Sequence, residues 1–175
     1  MNGHTFVDET KRRSYLLVAA VVVPTDLDPV RAGLRGLVLP GQRRLHMKDE
    51  NDSRKRSIAA EVVASGVRAT VYDAGDRYRT EWDRRSACLR ALVADAAARD
   101  DAMLVLEQDD TLVAADRALL YRRVREVGRE DLRYEHRRAA SELLLALPDA
   151  VAWCWAKGGD WRRRITPVVT EVRTV

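Results

Sequence analysis

The sequence predicts one α/β domain, a mixed β-sheet with helices on both faces. Three observations carry that expectation. Residues 14–23 (SYLLVAAVVV) are apolar at nearly every position, β-branched at the end and stopped by Pro24, the pattern of a strand buried on both faces. A second apolar run, residues 103–106, ends on Glu107. Elsewhere, strand-length runs alternate with segments of helical period, which places helices over a sheet.

Taken in order, residues 5–7 read as a short strand, followed by Asp8, Glu9 and Thr10 and the basic turn Lys11-Arg12-Arg13. With residues 14–23 they form a hairpin that leaves Asp8 at the exit of its first strand. Asp26 or Asp28 suits the cap of a helix over residues 29–37. Arg44-Leu45-His46-Met47 reads as a short strand, and Asp52 or Ser53 caps a helix over 54–64 that stops at Gly66. Residues 67–72 alternate as a strand does. Residues 81–98 form a long helix with Cys88, Leu89, Leu92 and Ala96 on one face. After the strand at 103–106 come a helix over 112–127, a brief strand at 132–134 and a last long helix over 138–155, kinked at Pro148. The tail, 165–175, offers an edge strand, and an exposed edge would let two copies pair as a homodimer. No repeat, low-complexity tract or long linker divides the chain, so residues 1–175 are expected to form one domain.

Composition sets the outer bounds. The 175 residues are 46% hydrophobic and 33% charged, enough for a real core and typical of globular chains. The two cysteines, Cys88 and Cys154, form no CxxC pair and read as free, buried thiols in a reducing compartment. The N-terminal segment is charged too early for a secretory signal. The apolar stretches at 15–24 and 143–156 fall short of the roughly 20 residues a membrane helix needs. A cytoplasmic address without a membrane partner is therefore expected. With 31 basic against 27 acidic residues and a net charge of +4, the total charge does not by itself imply nucleic acid.

The acidic positions carry more. Asp8 and Glu9 end the first strand, and Glu107 ends a central one. Asp149 lies in an apolar helix. There Leu143, Leu144, Leu147, Val151 and Trp155 form one stripe, and Asp149 stands on another face among Leu145, Ala146, Ala152 and Trp153. An ionised carboxylate in such surroundings is costly unless a cation or hydrogen-bond donors compensate it. Mg²⁺ or Mn²⁺ would do so, because hard cations prefer carboxylate oxygens. A salt bridge or a helix cap would account for Asp149 alone, and a strand-end turn for Asp8 alone. The combination is more telling. Asp8, Glu107 and Asp149 would converge at one sheet edge, with Glu9 as a further ligand or supporting group. Cations bridged by such acids activate water and stabilise the leaving oxygen in phosphodiester hydrolysis.

Three phrases in the chain resemble the DUF3800 family. They are Phe6-Val7-Asp8-Glu9-Thr10, then Leu45-His46-Met47-Lys48, then Tyr134-Glu135-His136 followed by Leu147-Pro148-Asp149-Ala150-Val151-Ala152-Trp153. The resemblance spans most of the chain and implies a ribonuclease-H-like fold with a divalent-metal acidic site. Asp8 and Asp149 are its strongest matches, and Glu107 would take the place of the acid at the end of a middle strand. The chain departs from the family phrases at Thr10, where Ser is usual, in lacking a Gly after it, and at Pro148, where Ala is commoner.

Other constellations are weaker. His46, beside Lys48 and Asp49, would orient a phosphate or relay a proton, or is a surface turn residue. Glu135 and His136 are auxiliary candidates of the same kind. Three histidines without close spacing give no zinc signature, and no Ser or Cys has an identifiable base partner. Basic clusters occur at Arg43-Arg44, Arg54-Lys55-Arg56, Arg122-Arg123-Arg125 and Arg137-Arg138, and read as solvated faces. Trp161-Arg162-Arg163-Arg164, after a glycine pair, is the stretch best suited to hold a nucleic-acid backbone and stack a base. The expected function is thus Mg²⁺- or Mn²⁺-dependent phosphodiester hydrolysis of nuclease type. The alternative is a non-catalytic module of the same fold that binds nucleic acid or a protein partner. A third option is a structural protein with Asp149 in a plain salt bridge.

Overall fold

A computed structural model describes residues 2–175. Six strands form one mixed sheet: β1 His4–Thr10, β2 Tyr15–Val22, β3 Arg68–Gly75, β4 Met103–Glu107, β5 Arg133–Arg137 and β6 Val169–Thr174, in the order β5-β4-β1-β2-β3-β6. The opening hairpin sets β1 antiparallel to β2, and β3 continues the meander against β2. β4 joins β1 in parallel, β5 joins β4 in parallel, and β6 closes the other edge parallel to β3.

Among the described residues six α-helices cover the sheet: α1 Leu27–Arg35, α2 Asp52–Ala64, α3 Glu81–Arg99, α4 Val113–Glu126, α5 Ala146–Lys157 and α6 Gly159–Ile165. They divide by face because strand side chains alternate. Phe6, Leu16, Val18, Ala20 and Val105 face one core with residues of α1, α2, α5 and α6. Val7, Leu17, Ala19, Leu104 and Leu106 face the other, with α3 and α4. Leu17, Val18, Ala19 and Ala20 are fully buried, as a central strand covered on both sides requires. Cys88 and Cys154 are free and buried, one in each core.

Several local expectations change. Arg44–Met47 is not a strand; the chain there is irregular and leads into a 3₁₀ turn, Met47–Asp49. The α2 cap is Asn51, whose side chain accepts the Arg54 N–H, rather than Asp52 or Ser53. The last long helix does not begin near residue 138. Arg138 follows β5, a 3₁₀ turn covers Leu143–Leu145, and α5 starts at Ala146. Pro148 therefore sits in the first turn of α5 and kinks nothing, because first-turn N–H groups have no helical acceptor. The tail does form an edge strand, β6. Gly158, at φ 77°, takes the positive-φ turn between α5 and α6 that a β-carbon would strain. Among the described residues no helix is long and apolar enough to cross a membrane.

Candidate functional site

The β1–β4 register explains how two acids meet. Phe6 pairs with Val105 and Val7 with Leu106. One residue further, the same register sets Asp8 beside Glu107, both on the face that α5 covers. α5 lies across β1 and β2 and delivers Asp149 from above. Asp8 feels both partners. Burial raises its carboxyl well above the ordinary value, the charges of Glu107 and Asp149 raise it further, and its side chain is within hydrogen-bonding reach of Glu107. The Glu9 N–H, 2.7 Å from Asp8 Oδ1, opposes these effects only in part.

Asp149 is held in place. Its Oδ2 accepts the Met47 N–H at 2.8 Å, and its Oδ1 lies 3.5 Å from His46 Nε2. Its carboxyl is pushed up to about 6, first by burial and then by the Glu107 charge, while His46 and the Met47 N–H act the other way. His46 stands between two carboxylates, with Nδ1 3.0 Å from Asp49 Oδ2. Arg44 reaches across to Glu107 Oε1 at 3.5 Å and to His46 Nδ1 at 3.3 Å. Two clefts flank the group. One of about 450 Å³ exposes Asp8, Glu107 and Asp109, and reaches Glu9 and Arg85 as well. The other, about 590 Å³, exposes His46, Lys48, Asp149 and Trp153.

The structure thus brings Asp8, Glu107, Asp149 and His46 together. Glu9 is a correction to its expected role as a metal ligand. It points to the opposite face, where Oε2 meets Arg85 and Tyr15 and Oε1 meets Lys11 at 3.1 Å. Those partners already occupy its lone pairs. His136 is also elsewhere. Its Nε2 lies 2.8 Å from Asp116 Oδ2, on the α3 and α4 side. Glu135 pairs with Arg137 at 2.7 Å. Trp161 packs edge-on against Trp153, 5.1 Å between ring centres, and so touches the wall of the second cleft. Arg162 is bound to the Trp155 carbonyl, and Arg163 and Arg164 to Asp160. The arginines expected to hold phosphate there are engaged with their own segment.

Sequence reasoning passed over Arg44 and Arg85. Arg85 carried a signal: it lies three, four and seven residues before Cys88, Leu89 and Leu92 and shares their buried face. A charged residue in such a stripe implies a buried acid. Arg44 carried little, since Glu107 comes from a distant segment, although His46 and Asp49 are close to it in sequence.

The donor set at Asp8, Glu107 and Asp149 is all carboxylate oxygen, which suits a hard divalent cation rather than zinc. Burial first, then repulsion from Glu107 and Asp149, raises the Asp8 carboxyl, and such a cation would offset both. Among the described residues, however, no three His, Cys, Asp or Glu side chains stand close enough to form a ready-made metal cage. An ion here would take part of its shell from water or substrate.

No family model matches the chain, and no curated protein matches it. Among solved structures it is similar to ribonuclease HII of Archaeoglobus fulgidus, determined in complex with PCNA. The TM-score is 0.50 at 18% identity, over 86% of this chain and 69% of that one. Identity this low speaks to architecture alone, and with the mixed six-stranded sheet it gives the chain a ribonuclease-H-like fold.

Proposed function

We propose that the protein is a divalent-metal-dependent phosphodiester hydrolase of nuclease type. The observation that carries this reading is the meeting of Asp8 and Glu107 at neighbouring strand ends under Asp149, where burial and mutual repulsion raise the carboxyls of Asp8 and Asp149. The DUF3800 resemblance supports it through Asp8 and Asp149, as does the ribonuclease-H-like fold.

Asp8, Glu107 and Asp149 would hold Mg²⁺ or Mn²⁺, which supplies Lewis-acid polarisation of the phosphate and a more acidic bound water. The chain's own groups do the rest. The Met47 N–H and His46 fix the orientation of Asp149. His46 Nε2, backed at Nδ1 by Asp49, is placed to hold a proton next to Asp149 Oδ1. Arg44 offers a guanidinium at the rim beside Glu107, where a phosphate oxygen would approach.

The test is a thermal-unfolding series in Mg²⁺, Mn²⁺ and chelator, paired with cleavage of a mixed DNA and RNA substrate panel. Wild type should melt higher with metal, since an ion that binds only the native state stabilises it, and should cleave only with metal. Asp8→Asn should fold, lose the metal-dependent rise and lose cleavage. Cleavage retained by a pure Asp8→Asn sample would sink the assignment.

A non-catalytic module is the second reading, favoured by the lack of a closed ligand cage among the described residues. It predicts nucleic-acid or protein binding that is unchanged by chelator.

A further inference from the structure

The arginines that the sequence leaves as ordinary surface charge turn out to border the acidic site. Glu107 and Gln108 wall the cleft at Asp8 and also a cavity of about 260 Å³ that contains Arg43, Arg44 and Arg138. Arg43, Ala139 and Ala140 are shared in turn with a third cavity of about 440 Å³, which adds Arg31, Arg35 and Arg137. Shared wall residues set these cavities side by side in a row, a trench in outline. It starts at the carboxylates and runs between the end of α1, the segment before the Met47–Asp49 turn and the chain that leaves β5.

Six guanidiniums line the two basic cavities, and they are unevenly paired. Arg44 has Glu107 at 3.5 Å and Asp49 at 3.9 Å, and Arg138 has Asp110 at 2.9 Å. Arg31 and Arg137 share the buried Glu142, at 3.1 and 3.4 Å, and each has a second acid, Asp28 at 3.4 Å and Glu135 at 2.7 Å. The Glu142 carboxylate is pinned by the Leu144 N–H at 3.1 Å, so it fixes both arginines at the trench wall. Arg35 and Arg43 are exposed and have no ion pair among the described residues. No aromatic side chain among the described residues lines the trench, so it offers nothing to stack a base. What it offers is repeated guanidinium forks for a ligand with repeated negative charge.

We propose that this trench carries the phosphate backbone of a polynucleotide strand to the Asp8–Glu107–Asp149 site. The proposal rests on the hydrolase reading for its direction, since the trench opens onto the carboxylates that would cut a phosphodiester. Its binding chemistry is separate. Contact through phosphates alone is independent of base sequence and strongly salt-dependent.

The experiment measures anisotropy of a fluorescent oligonucleotide in EDTA across a KCl series, where no metal-dependent step intervenes. Arg35→Ala/Arg43→Ala removes two charges without stranding a buried acid. Arg122→Ala/Arg125→Ala, on the outside of α4, removes the same charge elsewhere. The trench variant should bind about tenfold more weakly at low salt, and its slope of log K against log salt should flatten by about 1.4, some 0.7 for each single-strand phosphate that is no longer neutralised. The α4 variant should behave as wild type. Equal weakening in both variants, or in neither, would overturn the trench. So would an acidic polyglutamate that binds with the same dependence on Arg35 and Arg43 while the oligonucleotide does not bind. Variant-sensitive binding without any metal-dependent cleavage supports the trench and removes the hydrolase reading. Cleavage that persists while both variants bind as wild type does the reverse.

Discussion

The two faces of the sheet end in acidic clusters of opposite character. On the α3 and α4 face, Glu9 and Asp116 meet Arg85, which forms a bidentate pair with Asp116 at 2.8 and 2.7 Å and also contacts Glu9. His136 adds a further donor to Asp116, and Tyr15 one to Glu9. Burial works against the Asp116 carboxylate, yet Arg85 and His136 hold it below its ordinary value. On the α5 face, Asp8 and Asp149 are raised instead. The backbone geometry is shared, since Asp8 and Glu9 are consecutive residues of one strand. The difference, among the described residues, is a buried arginine on one face and none on the other. A protein that can place Arg85 beneath Glu9 has the means to neutralise buried acids. Leaving Asp8 and Asp149 under-compensated is costly for the fold, and it makes sense where an outside cation completes the site.

The largest effect should come from breaking the compensated side. Arg85→Met keeps much of the side-chain volume and strands Glu9 and Asp116 without their cation. The arginine side chain is 7% exposed and that of Asp116 1%. Loss of one partner of a buried pair costs about 3–5 kcal/mol, so the melting temperature at neutral pH should drop steeply. The divalent-dependent rise in melting temperature, which belongs to the other face, should survive wherever the variant remains folded. A rise that vanishes with Arg85 would show that the two clusters are one site.

A smaller effect, of opposite sign, is expected from Asp149→Asn in metal-free protein. A carboxyl raised in the native state binds its proton more tightly there than in the unfolded chain. It therefore favours folding below its unfolded value of 3.8, and that contribution is lost as pH rises through its folded value of about 6. Asparagine keeps the acceptor for the Met47 N–H and removes the titration. The variant should gain on wild type as pH climbs from 4 to 7, by an amount on the order of 2 kcal/mol. Mn²⁺ should erase that advantage by stabilising wild type alone. A stability difference that is flat with pH would mean Asp149 is compensated as fully as Asp116.

Which parts of this were legible in the sequence follows from the range of the interactions involved. The buried strands, the helices α3 and α4 and the three acids were readable because apolar period and strand-end position are local properties. Asp149 stood out because its neighbours in sequence are also its neighbours in space. His46, left open between an auxiliary role and a surface turn residue, lies 3.5 Å from Asp149, although the strand expected to carry it is irregular chain. Where the structure departs from expectation, the causes are both long-range and local. Glu9 was grouped with Asp8, but strand alternation turns it to the other face, where the α3 packing brings Arg85 to it. The Trp161–Arg164 segment has the composition of a nucleic-acid contact, yet Asp160 and the Trp155 carbonyl lie within its own turns. Arg35 and Arg43 lie far from Arg137 in sequence, and the three meet only once α1 and the segment after β5 are side by side.

The smallest signal would come from the cysteines, and it compares the two faces within one molecule. Cys88 reports on the α3 face and Cys154 on the α5 face. Both thiols are pushed up to about 12, chiefly by burial. Alkylation requires the thiolate, so neither should react at pH 8 in the closed native state, and any labelling must pass through local opening. Asp149 lies five residues before Cys154 on α5, so on the proposed reading repulsion among the acids would loosen the chain above Cys154 and leave that above Cys88 alone. Without divalent ions, Cys154 should label several-fold faster than Cys88, and Mn²⁺ should slow Cys154 selectively. In Asp8→Asn the two rates should be similar with or without metal. If Mn²⁺ slows both cysteines equally in wild type, the ion stabilises the whole fold and the asymmetry between the faces plays no part in holding it.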